Sequence, residues 1–175
     1  MTAKSLRSLV LSSAAAVLLA APALAAGTYS ARLINDDPRE GRKIENLTIE
    51  VERMSTPAEL AALADGGAEK AAEVGSARLE RTRSRAAIAA VETSGADGKK
   101  LVLVFEKPLN WFDGSRNPSA RKYPYGVLEL SLDGDGKGEG KLIAGAQVKF
   151  DQGGVAIQSA SGEPMRIIQV SNGQS

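Results

Sequence analysis

The sequence predicts a mainly β domain, α+β only by a single helix, folded as an antiparallel β-sandwich or barrel-like sheet of about eight or nine strands. Three observations carry this. Short stretches with the two-residue period of a half-buried strand recur along the chain, as in Val127 to Leu132 and Leu142 to Phe150. Turn residues separate them roughly every 8 to 12 residues, the spacing of sandwiches and barrels. Only one stretch carries a full helix-start signal, Thr56-Pro57-Ala58-Glu59, where a capping hydroxyl, a proline at the first helical position and a returning glutamate coincide.

The elements follow in order. Thr28 to Ile34 alternates Tyr29, Ala31 and Leu33 against polar neighbours, and after NDDPREG the stretch Ile44 to Met54 alternates again through Leu47, Ile49 and Val51. The capped helix is expected near 56–73, with Leu60, Leu63 and Ala64 on one face and Gly66-Gly67 weakening its middle. From Ser76, an extended Arg78 to Arg85 would place Arg81, Arg83 and Arg85 on one face: a basic surface for an anionic partner, or a strand edge protected by charge. Ala86 to Thr93 and Lys100 to Glu106 are joined by the hairpin signal Gly95-Ala96-Asp97-Gly98. Leu101 to Phe105 is apolar on both faces, as a central strand would be.

The clearest hairpin comes next. Leu128, Leu130 and Leu132 oppose Val127, Glu129 and Ser131, and beyond DGDGKGEG the residues Leu142, Ala144, Ala146, Val148 and Phe150 are expected to share one apolar face. Asp151 to Gly154 then reverses the chain into Val155 to Ser159, and Ser161 to Pro164 turns it into Met165 to Val170. The tail 171–175 is expected to be loose.

Residues 1–25 read as a signal peptide: Lys4 and Arg7, an apolar run from Leu9 to Ala21, then Ala23-Leu24-Ala25. Its removal would leave one domain over 26–170 plus the tail and take the net charge from +1 to −1. The expectation is a soluble exported protein, periplasmic or secreted, with no membrane anchor. Near-neutral charge argues against nucleic acid as a partner, and without cysteine the core must hold the fold alone.

Histidine is absent, which removes the commonest general base and metal ligand together. Asp133, Asp135 and Glu139 imitate the start of a calcium loop, but Lys137 and Ala144 occupy its fifth and twelfth positions. Ser119 to Lys122 has an S-x-x-K spacing without the companion motifs. No catalytic residue, metal or cofactor is therefore expected. The one candidate ligand site is the long connection Lys107 to Pro124, which interleaves aromatics with cations: Trp111, Phe112, Arg116, Arg121, Lys122, Tyr123 and, just beyond it, Tyr125. Such a set suits a group that stacks on a ring and carries negative charge. The same aromatics could instead plug the end of the β structure.

The segment from Leu101 to Asp151, with the later GEPMRI, resembles an uncharacterised family of exported bacterial proteins that share a Tyr-Pro-aromatic strand start and a D-G-x-G-x-G hairpin. The resemblance implies export and a β-rich fold, and no reaction. The first functional reading is a non-enzymatic binding or envelope-interaction domain whose partner is an unknown small molecule or envelope component. The alternative is a carrier of a small apolar or anionic ligand with a β-barrel cavity. A hydrolase using Asp113, Glu106 or Ser119 ranks third, because no base and nucleophile are paired by the sequence.

Overall fold

A computed structural model describes residues 27–37, 41–95, 98–112, 122–151 and 154–173. Its strands are β1 (Gly27–Asp37), β2 (Gly41–Val51), β3 (Gly75–Leu79), β4 (Arg85–Gly95), β5 (Gly98–Phe105), β6 (Tyr125–Leu132), β7 (Gly138–Asp151), β8 (Gly154–Ala160) and β9 (Met165–Asn172), with helix α1 (Pro57–Ala64) between β2 and β3. They form one antiparallel sheet in the order β6-β5-β4-β3-β2-β1-β9-β7-β8. Because β6 also pairs with β7, every strand except β8 belongs to a closed ring. The fold is a barrel, which resolves the choice between sandwich and barrel.

The 14-residue β7 makes this closure possible. One of its edges pairs with β6, while the other pairs with β9 along Gly138–Leu142 and with β8 along Ala146–Asp151. Strands β8 and β9 thus lie end to end against one neighbour, interrupted where the Ser161 N–H donates to the Gly145 carbonyl at 2.8 Å. The far half of β7 leaves the ring as a hairpin arm with β8.

Two apolar cores result. The inner one is set by strand alternation: Leu33, Leu47, Ile49, Leu79, Leu101, Leu103, Phe105, Leu128, Leu130, Leu142 and Ile167 are all fully buried inside the ring. Eight strands enclose a space that side chains of this size fill. The outer core covers the other face of β4, β5 and β6, where Ile88, Val102, Val104 and Val127 meet Leu60 and Leu63 of α1 and Phe150 of the arm. The two-sided burial of Leu101 to Phe105 follows directly, with β5 lying between β4 and β6 as expected.

Four expectations need correction. The helix does not continue through Gly66-Gly67 but ends at Ala64, because Gly66 takes a φ of +85° that closes the turn. Arg78 to Arg85 is not one extended face: β3 stops at Leu79 and a turn with Arg81 at φ +64° leads into β4, leaving these arginines exposed around a hairpin tip. Leu142 and Phe150 do not share a core, because the pairing with β6 slips between Val127–Ile143 and Tyr125–Ala146. That bulge turns Ala146 and Phe150 to the outer core while Leu142 stays inside. Ser171 and Asn172, expected in the tail, pair with Ser30 and Tyr29 because β1 has an open edge to offer.

The predicted cap is present. Thr56 Oγ1 accepts from the Glu59 N–H at 3.3 Å, and Glu59 Oε2 accepts from the Thr56 N–H at 2.8 Å. Arg53 adds a fork to the same carboxylate, at 2.7 Å and 2.9 Å. The Arg53 guanidinium, then the Thr56 N–H, pull the Glu59 carboxyl from its ordinary 4.5 down to about 2. A carboxylate with a lowered folded pKa stabilises fully above its unfolded pKa, and that contribution is lost as pH falls from 4.5 through about 2. With the Glu59 side chain 34% exposed, solvent screening leaves roughly 1 kcal/mol. Urea midpoints should therefore fall over that acid range by less in Glu59→Gln than in the parent, and stay nearly level between pH 6 and 8, where no histidine titrates.

Candidate functional site

Three of the sequence-predicted site residues pack on the cores, two on the inner and one on the outer. Trp111 and Phe112 are half-buried and pack against the inner core, next to the fully buried Leu109, whose N–H donates to the Ala144 carbonyl at 2.7 Å. The Trp111 indole N–H is buried and has no acceptor among the described residues. Tyr125 belongs to the outer core and meets the Phe150 ring edge-on at 5.5 Å between centroids. Tyr123 is half-buried, and the exposed Lys122 lies over its ring at 5.3 Å. Arg116 and Arg121 lie outside the described residues, as do Asp113 and Ser119, whereas Glu106 is exposed.

The acidic hairpin loop is occupied with its own backbone. Asp133 Oδ1 accepts from the Asp135 and Lys137 N–H groups, both at 2.9 Å. Among the described residues no group of three or more His, Cys, Asp or Glu side chains could hold a metal ion.

A different set of residues converges on the outer wall. The register places Val91 of β4, Val102 of β5, Glu129 of β6, Lys141 of β7 and Arg166 of β9 side by side in one row. Partners across antiparallel strands project from the same face. Lys100 stands on that face two residues before Val102 and reaches Glu129 diagonally. Glu129 is the one buried charged residue among those described, 8% exposed. Its Oε1 takes the Lys100 ammonium at 3.0 Å and its Oε2 the Lys141 ammonium at 2.7 Å.

Burial pushes the Glu129 carboxyl up, but hydrogen bonds from Lys141 and Lys100, backed by their charges, outweigh it and hold it below the ordinary carboxylate range. The acid is therefore ionised at neutral pH. One carboxylate shared by two ammoniums leaves a surplus cation, and both lysine side chains remain about half exposed. Their other N–H donors can reach a ligand.

Two clefts meet at this pair, since Lys100 and Glu129 line both. One, of about 410 Å³, is otherwise lined by Ser131, Glu139, Gly140, Lys141, Arg166 and Ile167. The other, of about 320 Å³, runs under the β7–β8 arm between Val91, Val102 and Val155. Both volumes fall at the small end of the range for sites that take small molecules.

A signal for this site was present in the sequence. If β5 is apolar on both faces, something covers its outer side, and the same cover extends over its neighbour. Glu129 on that neighbour is then a buried acid that requires cations beside it. The alternation of β6 alone makes Glu129 look like an ordinary solvent-facing residue.

No family model matches the chain, and neither a curated protein nor a solved structure matches it.

Proposed function

We propose that this domain is a small-ligand carrier that holds an anionic group on the outer wall of its barrel, at Lys100, Glu129 and Lys141. The observation that carries the reading is the buried Glu129 shared between two half-exposed lysines at the junction of two clefts. A carboxylate with surplus cations around it is a preorganised anion receptor: Glu129 fixes the ammoniums, and their remaining donors face the ligand. The clefts suit a small molecule better than an envelope surface, which favours a carrier over a broad interaction domain. The barrel interior is taken up by side chains, so the ligand lies on the wall rather than inside.

Binding is preferred over catalysis because a general acid or base needs a pKa near the working pH, and Glu129 is held below the carboxylate range. Residues 1–25 export the protein as a signal peptide, a reading that rests on Lys4 and Arg7, the apolar run from Leu9 to Ala21 and Ala23-Leu24-Ala25. Among the described residues no helix is long and apolar enough to cross a membrane.

Titration calorimetry with a panel of small organic acids tests the reading. At least one should bind the parent, and Lys141→Met should weaken it about tenfold or more, the worth of one charge-assisted hydrogen bond. An acid that binds both proteins equally, or neutral ligands that bind better than any acid, would contradict it.

A further inference from the structure

The two clefts differ in chemistry, and the difference specifies a ligand class. The larger one presents Lys100, Lys141 and Arg166 around Glu129, with Glu139 on its rim. The smaller carries an apolar patch of Val91, Val102 and Val155 beside Thr93 and Asp151: Val102 is only 9% exposed, while Val91 and Val155 are half-buried members of the outer core. Asp151 lines that cleft near the hairpin turn. The row Val91–Val102–Glu129–Lys141–Arg166 thus passes from apolar to cationic across five adjacent strands, with Glu129 at the change.

We propose that the ligand is a monoanionic amphiphile, a linear carboxylate of short to medium chain length, whose head bridges Lys100, Lys141 and Arg166 and whose tail lies under the β7–β8 arm against Val91, Val102 and Val155. This rests on the outer wall being the ligand site. Charge complementarity fixes the head. Glu129 cancels one of the three cations, so a single carboxylate still meets a net positive cluster and accepts its hydrogen bonds. Glu139, which lines the larger cleft, repels a second or third negative charge and disfavours phosphate and dicarboxylates. The tail is placed by position: from a carboxylate at Lys100, the patch formed by Val91, Val102 and Val155 lies on the Val102 side. Its burial there adds the ordinary hydrophobic contribution of each methylene.

The test is a calorimetric series on the full chain from butanoate to decanoate, each below its micelle concentration, with inorganic phosphate and succinate as comparisons. Affinity should rise about fourfold per methylene over the first members, the ratio that corresponds to one buried CH₂, and level off once the tail passes Val155. Phosphate and succinate should bind more weakly than hexanoate. Val155→Thr and Val91→Thr, which keep side-chain shape, should each reduce the slope along the series without a change in far-ultraviolet circular dichroism. Equal affinities along the parent series, or phosphate binding as tightly as octanoate, would overturn the amphiphile while leaving the anion receptor in place. Failure of every anion to bind would overturn both.

Discussion

Gly140→Val should destabilise the domain by about 3 kcal/mol or more, read from urea unfolding midpoints. Gly140 lies opposite Leu130 where β7 closes the ring on β6. A Cβ there would overlap the Glu129 carbonyl oxygen and stand 2.9 Å from Leu130 Cδ2. The first obstacle is backbone, so no rotamer change relieves it. Opening the two strands would break the closure of the ring and separate Glu129 from Lys141 at the same time. The variant should therefore lose both stability and binding of any acid the parent takes. An unchanged midpoint would mean that the ring does not close through β6 and β7.

Phe150→Ala should cost about 3 to 5 kcal/mol, against under about 0.5 for its exposed neighbour Lys149→Ala. The effect arises in the outer core, where Phe150 is 5% exposed and packs on Tyr125. Tyr125→Ala should then be less than additive with it, because each ring is the other's partner. Full additivity with Tyr125→Ala would place Phe150 elsewhere, and equal effects at 149 and 150 would mean that the strand register is wrong.

Phe150 also marks where reading by periodicity ends. Its burial follows from alternation along β7, but its company does not. A bulge near Ala144 and Gly145 shifts the register, and whether a strand bulges depends on partners hundreds of atoms away rather than on local residue type. Within regular strands the period was enough: Leu128, Leu130 and Leu132 face inward as expected, and Thr56 to Glu59 forms the predicted cap. Helix length is not legible in the sequence because Gly66 can sit inside a weak helix or end one, and here its φ of +85° ends it.

The candidate site was less legible for a related reason. Composition draws attention to the aromatic and basic stretch around Trp111, whereas Lys100, Glu129, Lys141 and Arg166 come from four different strands. No local spacing joins them. They become neighbours only once β5, β6, β7 and β9 lie in that order, and Glu129 becomes a buried charge only once the β7–β8 arm folds over the wall. Sequence patterns report the contacts a strand makes with itself and its hairpin partner. The receptor is made by contacts beyond that.

Backbone amide shift mapping with octanoate on the uniformly labelled protein tests most directly whether the ligand lies on the outer wall. The largest changes should fall on Lys100, Glu129, Lys141 and Val155, with Leu109, Trp111 and Phe112 nearly unmoved. Changes concentrated at Leu109 to Phe112, the residues that pack against the inner core, would contradict it and place the ligand at the barrel end instead.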